Sequence, residues 1–171
     1  MIAICRSTLP VLDNRSARRL LLARQALSGA RAQNLAALID TLGYVQLDSI
    51  RVVERAHHHI LFSRDLAYRP RKLERLHETE RTLFEHWTHD ASLIPMAFYP
   101  HWHHRFEDHR QRITSNKGWW RDRLGGKTAI DEMRRRVENE GPIRAREIQE
   151  KEGRSGSWWG WSKHKAALEF L

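Results

Sequence analysis

The sequence is poor in residues that would cross-link it or hold it in a membrane. It has a single cysteine, Cys5, among 171 residues, which excludes an internal disulfide and any zinc site built from cysteines. No apolar run approaches the roughly 18 residues of a membrane span, and the first residues lack the basic and then apolar order of a signal peptide. We therefore expect a soluble, cytoplasmic protein.

Lysine is also scarce, although the protein is strongly basic. The sequence has 30 basic and 21 acidic residues, a net charge of +9, and only 6 of the basic residues are lysines. The charge is +4 over residues 1–90 and +5 over residues 91–171, so it belongs to the folded surface and not to a tail. This excess indicates a polyanionic partner, and the planar guanidinium group of arginine favours nucleic acid over a membrane surface.

The spacing of apolar residues predicts three helices and one extended segment in the first half of the chain. The first helix, residues 17–27, is basic and follows residues that often cap helices. The second, residues 35–42, has its leucines and isoleucine at helical spacing and is ended by a glycine. The alternation of apolar and polar residues over 44–48 predicts a short strand, and residues 50–62 again have the pattern of a helix.

Two apolar runs, residues 81–87 and 91–95, flank the polar turn Thr88-His89-Asp90 and predict a β-hairpin. Together with the preceding elements, this gives the order helix, helix, short strand, helix, hairpin, which is typical of a winged helix. Further helices are expected over residues 96–113 and 128–139.

The last thirty residues repeat the early pattern, with short helices expected over residues 142–148 and from Lys163 onward. We therefore predict a mainly α protein with short β-hairpins (α+β) and tandem winged-helix units. Residues 1–113 would form the first unit with its following helix, and residues 114–171 a connecting helix and a partial second unit. Because the chain stops within an apolar helical run, we expect it to be a truncated or partial protein.

The segment Gln46-Leu47-Asp48 is the first candidate for chemistry. Residues i and i+2 of a strand share a face, so Gln46 and Asp48 would project together while Val45 and Leu47 hold the strand in the core. An amide and a carboxylate placed side by side can polarise and orient a water molecule. The alternative is that Asp48 only caps the following helix, with Ser49 assisting. Spacing alone leaves both interpretations open.

The histidines and tryptophans are clustered, but their patterns do not define a site. Consecutive histidines such as His57-His58-His59 diverge around a helix, and no zinc motif accompanies them, so a DNA-facing surface is favoured over a metal site. Trp119-Trp120 and the cluster at Trp158-Trp159-Trp161 could stack on bases or wedge into a groove, but core packing is the commoner role of tryptophan. The hairpin turn could probe a minor groove or be an ordinary polar turn.

Five segments carry specific motifs: residues 42–50, 53–58, 61–64, 83–95 and 141–143. Together they resemble the AlkZ/YcaQ family of winged-helix DNA glycosylases. The resemblance runs from about residue 15 to the end of the chain, in the order found in the family. The catalytic signature of the family, a glutamine, an apolar residue and then glutamine or aspartate, stands here as Gln46-Leu47-Asp48, the form associated with the YcaQ-like branch.

The resemblance implies a monofunctional glycosylase that removes alkylated or interstrand-crosslinked purines from double-stranded DNA during repair. It implies that Gln46 and Asp48 are catalytic. We expect no metal or other cofactor, and we expect the protein to act as a monomer. The residues expected to contact DNA are Arg51, Arg55, His57, His58, Arg64, His86 and His89. The alternative is a non-enzymatic winged-helix regulator that recognises DNA with residues 50–62; a membrane-surface protein ranks last.

Overall fold

A computed structural model of the chain describes residues 11–28, 34–115, 126–144, 147–148 and 162–171. The chain divides into two units, Met1–Pro100 and His101–Leu171, each with its own cluster of buried apolar side chains. The predicted class is confirmed, because helices predominate and are accompanied by one small antiparallel sheet. The assignment of winged-helix units and the division at residue 113 remain predictions.

The first unit begins with two helices whose ends follow from their capping residues. Helix α1 is Asn14–Arg24, and Asp13 caps it by accepting the N–H of Ser16 at 3.0 Å. Helix α2 is Leu35–Leu42 and ends at Gly43, whose φ of +85° lies in the left-handed region that favours glycine. Both predicted helices are present, although α1 begins and ends three residues earlier than predicted, and α2 contributes its leucines and isoleucine to the core of the first unit.

A three-stranded antiparallel sheet forms the other side of this core. Strand β1 is Val45–Gln46, and strands β2, Leu83–Trp87, and β3, Ala91–Pro95, form the predicted hairpin. The order across the sheet is β1-β3-β2, so β1 pairs with the second strand of a hairpin that follows it by some forty residues. Val45 lies opposite Leu93 and Gln46 opposite Ser92, and both Val45 and Leu93 are buried in the core.

The prediction of a helix over residues 50–62 is wrong in its first half. Helix α3 spans only Ala56–Phe62, and the preceding residues form a loop closed by an isolated antiparallel bridge between Arg51 and Arg55. The valines that suggested a helical face, Val52 and Val53, are 91% and 80% exposed. Because they bury no surface, no packing energy favours a helix there.

The first unit continues with helix α4, Pro70–Glu74, which runs into a π-helical turn over Arg75–Thr79. This segment adds Leu73 and Leu76 to the core, and Tyr68 just before it is also buried. After the hairpin, Met96–Trp102 is a 3-10 helix that contains Pro100. The helix predicted over residues 96–113 therefore begins as a tighter helix, since a proline removes a backbone donor from an α-helix.

In the second unit, helices α5, His103–Ser115, α6, Gly126–Glu140, and α7, Lys163–Phe170, are described. Ser162 caps α7, and Gly141 with a φ of +83° follows α6. The helices predicted over residues 128–139 and from Lys163 are confirmed. The tryptophans at 119–120 and 158–161 and part of the segment 142–148 lie outside the described residues. In the described part of the chain, no helix has the length and apolar character needed to cross a membrane.

Candidate active site

An open cavity of about 540 Å³ lies in the first unit, between the end of β1, the loop that follows it, the start of α3 and the hairpin turn. Polar and charged groups form much of its wall. The residues that line it are Gln46, Leu47, Asp48, Ser49, Ile50, Arg55, His57, Asp90 and Ala91. The two predicted catalytic residues therefore face the same solvent-accessible space.

The strand geometry explains why Gln46 and Asp48 meet there. Val45 is 3% exposed and Leu47 packs against the core, so the intervening polar residues project to the other side. The N–H of Leu47 donates to the carbonyl oxygen of Ala91 at 2.8 Å, which continues the pairing with the hairpin one residue beyond β1. Gln46 is exposed and Asp48 is half-buried.

Asp48 is held by two hydrogen bonds to neighbouring segments. Its Oδ1 accepts the N–H of Ile50 at 2.8 Å, which forms an Asx-type turn. Its own N–H donates to Nδ1 of His57 at 3.0 Å. Asp48 does not cap α3, because a loop follows the turn and the N-cap residue of α3 is Arg55, which makes no side-chain capping bond. Among the described residues, no donor contacts the second carboxylate oxygen of Asp48.

His57 supports the backbone of Asp48 from inside the protein. The imidazole is only 3% exposed, and its Nδ1 must be unprotonated to accept the N–H of Asp48, so the proton of the neutral ring is on Nε2. Burial, with smaller contributions from the adjacent charges of His58 and Arg55, lowers the pKa of His57 from 6.5 to about 4. The ring is therefore neutral at physiological pH and keeps this hydrogen bond.

A second buried contact lies behind His57. The rings of His57 and His58 are 4.1 Å apart between centroids, and Nδ1 of His58 is hydrogen-bonded to the phenol oxygen of Tyr68 at 2.7 Å. Tyr68 is 2% exposed, and burial raises the pKa of its phenol, so it stays uncharged. In the described part of the chain, no group of three histidine, cysteine or acidic side chains is placed to hold a metal ion.

The other residues expected to contact DNA lie in different surroundings. Arg55 lines the cavity, whereas Arg51 is exposed on the loop and forms an ion pair with Glu54 at 3.4 Å. Arg64 is half-buried, and its Nε donates to the carbonyl oxygen of Gln25 at 2.8 Å, so it connects the end of α3 to the end of α1.

The two histidines of the hairpin differ in exposure. His86 is half-buried on β2, and His89 is exposed in the turn. The cavity thus brings together Gln46, Asp48, Arg55 and His57, but its lining does not include Arg51, His58, Arg64, His86 or His89.

Sequence reasoning missed the contribution of Asp90 to the cavity wall. The pairing of β1 with β3 and the hydrogen bond from the N–H of Leu47 to Ala91 bring the hairpin turn beside the end of β1, and Asp48 and Asp90 both line the cavity. Asp90 is exposed, and its Oδ1 accepts the N–H of Ala91 at 2.8 Å. The signal was the pairing of residues 44–48 with the hairpin, which local periodicity does not reveal because the partners are far apart in the chain.

A family model described as DNA glycosylase AlkZ-like matches residues 39–171, a range that contains every residue of the cavity. The chain belongs to the AlkZ-like DNA glycosylase family. No solved structure matches it. The resemblance seen in the sequence is thereby confirmed at the level of the family, and the YcaQ-like branch remains a prediction.

Membership of the AlkZ-like family indicates a DNA glycosylase activity and DNA as the macromolecular partner. It also agrees with the net charge of +9, since neutralisation of phosphates provides most of the affinity of a protein for DNA. Within this chain, the described cavity places two carboxylates, an amide and an arginine at the surface where such a partner can reach them.

Proposed function

We propose that this protein hydrolyses the N-glycosidic bond of alkylated purines in double-stranded DNA, including purines held in interstrand crosslinks, with Asp48 and Gln46 as the catalytic residues. One observation carries the proposal. The two side chains line the same open cavity, and the acidic residue is held there by hydrogen bonds of its carboxylate and of its amide.

The chemistry needs few groups. A purine alkylated at N7 or N3 is cationic, so it departs as a neutral base with the electrons of the broken bond and requires little help from an acid. The sugar left behind has oxocarbenium character, and a nearby carboxylate stabilises that positive charge. We assign this role to Asp48, whose second oxygen also accepts a proton as water adds to the sugar carbon.

Gln46 completes the arrangement by positioning the water molecule. Its amide can accept one hydrogen bond from water and donate another, and its exposed place at the cavity wall leaves room for both. Arg55 at the same wall and Arg51 nearby provide positive charge for phosphates. The product is an abasic site, because water is the nucleophile and the residues that line the cavity include no lysine.

The openness of the cavity favours bulky lesions as substrates. Many enzymes that act on bases turn the nucleotide into a closed pocket, which a base linked to the opposite strand cannot enter. Here the carboxylate lies at a wall that solvent reaches from the surface. A crosslinked purine could therefore approach Asp48 without leaving the groove completely.

The test is the release of 7-methylguanine from methylated DNA by the intact protein and by its Asp48→Asn variant. We expect the variant to be slower by about 100-fold or more, because the charge that stabilises the sugar cation is lost, with DNA affinity unchanged or tighter. Asp40→Asn is the matched control, since Asp40 is an exposed aspartate on α2. A rate equal to that of the parent protein would refute the role of Asp48.

The same assay extends to crosslinked substrates and to the non-enzymatic alternative. Unhooking of a duplex crosslinked through purine N7 atoms should follow the same dependence on Asp48. Preference for one undamaged duplex sequence, with no release of base from alkylated DNA, would instead support a winged-helix regulator.

A further inference from the structure

The loop Ser49–Arg55 next to the cavity carries apolar side chains that the protein does not bury. We propose that this segment, the wedge loop, inserts Val52 and Val53 between base pairs and so opens the duplex beside Asp48. The inference rests on the proposed function, since it specifies how the same site engages DNA.

The exposure of the tip is the first argument. Val52 is 91% and Val53 80% exposed, and Ile50 at the start of the loop is 71% exposed. Three exposed aliphatic side chains within four residues leave apolar area in water that a partner would cover favourably. The nearby valine of β1, Val45, is by contrast only 3% exposed.

The second argument is that the wedge loop is closed at its base. Arg51 and Arg55 form an antiparallel bridge, and Nε of Arg51 lies 3.4 Å from Oε1 of Glu54. The same Glu54 oxygen accepts the N–H of Arg55 at 3.0 Å. These contacts hold the two valines at the tip of a short turn, and β-branched side chains have few rotamers to lose on insertion.

The third argument is location. Ser49, Ile50 and Arg55 line the cavity, so both ends of the wedge loop lie at the wall that contains Asp48. DNA bound with its lesion at the cavity would meet the tip at a neighbouring base step. Proteins that bend DNA insert apolar side chains such as leucine and isoleucine between base pairs.

The charges around the tip favour DNA as the binding partner of the wedge loop. Arg51 and Arg55 flank the valines, and the acidic residue between them, Glu54, is already paired with Arg51. Residues 51–55 therefore keep a net charge of +1, and a positive charge beside an apolar tip suits a phosphate next to an opened base step. A membrane surface would require a longer amphipathic element, and three aliphatic side chains form too small an area for a stable protein interface.

The consequence for the reaction is selectivity for weakened stacking. Insertion must separate a base step, and this costs less where a lesion already weakens stacking or pairing. A duplex opened in this way would expose the sugar carbon of the damaged nucleotide toward Asp48. Opening of the duplex by the wedge loop would thus give access to the sugar, which other enzymes obtain by turning the base into a closed pocket.

The experiment compares the double variant Val52→Ser/Val53→Ser with a matched control, Val11→Ser/Leu12→Ser. The control removes another consecutive pair of exposed aliphatic side chains, 95% and 55% exposed, outside the region that matches the family. The probe is a duplex with 2-aminopurine beside a tetrahydrofuran abasic analogue, whose fluorescence rises when the neighbouring base unstacks. Thermal melting of each variant verifies that it is folded.

We expect the parent protein and the control to raise the fluorescence severalfold on binding, and the Val52→Ser/Val53→Ser variant to lose most of this increase. Release of 7-methylguanine by that variant should fall by about tenfold, because contacts with the valines no longer offset part of the cost of unstacking. No fluorescence change with the parent protein, or an equal change with the valine variant, would overturn the proposal.

The experiments distinguish a failure of the wedge proposal from a failure of the proposed function. If base release depends on Asp48 but no unstacking occurs, the wedge is refuted and the glycosylase assignment stands. If unstacking depends on the valines while Asp48→Asn keeps full activity, the wedge stands and the catalytic assignment is refuted.

Discussion

The strand before Asp48 and the loop after it use the same kind of residue for opposite purposes. In β1, Val45 is 3% exposed and packs among the leucines of the core, whereas Val52 in the wedge loop is 91% exposed. The first valine fixes the backbone that carries the acid, and the second is left for a partner. Burial stabilises an apolar side chain wherever it lies in the sequence. The comparison shows that the tertiary structure determines whether the protein itself buries that side chain.

The largest difference between the two regions should be in stability. Val45→Ala is expected to lower the free energy of unfolding by about 2 kcal/mol, because it leaves a cavity beside Leu93 in the core. Val52→Ala should change it by less than about 0.5 kcal/mol, since the side chain is in water. Urea denaturation of both variants measures the difference. Equal losses would mean that the loop valines are buried in solution and that the contrast is false.

A smaller effect is expected where the two regions join, at His57 under Asp48. The pKa of His57 is 6.5 when unperturbed and about 4 in the folded protein, so between these values the unfolded chain binds a proton that the folded chain does not. Stability should therefore fall as the pH is lowered, by about 1–2 kcal/mol from pH 7 to pH 5 through this residue.

The control for this prediction is His57→Asn, whose side-chain oxygen can still accept the N–H of Asp48 but cannot be protonated. Urea denaturation at several pH values should show a shallower acid loss in the variant than in the parent protein. Some loss should remain, because burial also lowers the pKa values of His58 and His109. An unchanged slope would indicate that the ring of His57 is hydrated in solution.

The smallest effect concerns the base of the wedge loop. Glu54→Gln removes the ion pair with Arg51, and exposed pairs contribute little to stability, so the unfolding midpoint should not change measurably. The severalfold rise of 2-aminopurine fluorescence should nevertheless shrink by about twofold, because the tip is less well held. Glu80→Gln, which removes the exposed pair with Arg75, is the matched control and should leave the fluorescence unchanged. A drop in both variants would point to charge and not to loop geometry.

Much of the fold could be predicted where the signal is local. The spacing of apolar residues and the terminal glycine defined α2, and two apolar runs around a polar turn defined the hairpin. The loop after Asp48 was wrongly predicted as a helix, because its conformation depends on tertiary contacts and not on a local signal. Its valines have a helical spacing, but no part of the core lies beside them, and the turn formed by Asp48 and Ile50 directs the chain away from a helix.

The candidate site also has features that the local sequence predicts and features that it does not. The placement of Gln46 and Asp48 on one side of the chain follows from the two-residue period of a strand, so it was visible in the sequence. The buried position of His57 and the presence of Asp90 in the cavity wall depend on pairing between β1 and β3 and on the packing of α3, which connect distant parts of the chain. No local pattern contains that information.

The hydrogen bond from the N–H of Leu47 to the carbonyl oxygen of Ala91 links the position of Asp48 to the hairpin turn. The acid follows one of these residues and the turn precedes the other. Adding or deleting one residue at positions 88–90 would change the register of the hairpin. It would thereby change which backbone group of β3 pairs with β1, and with it the position of the Asp48 carboxylate at the cavity. A change in loop length that elsewhere alters only the surface would here move the proposed catalytic acid.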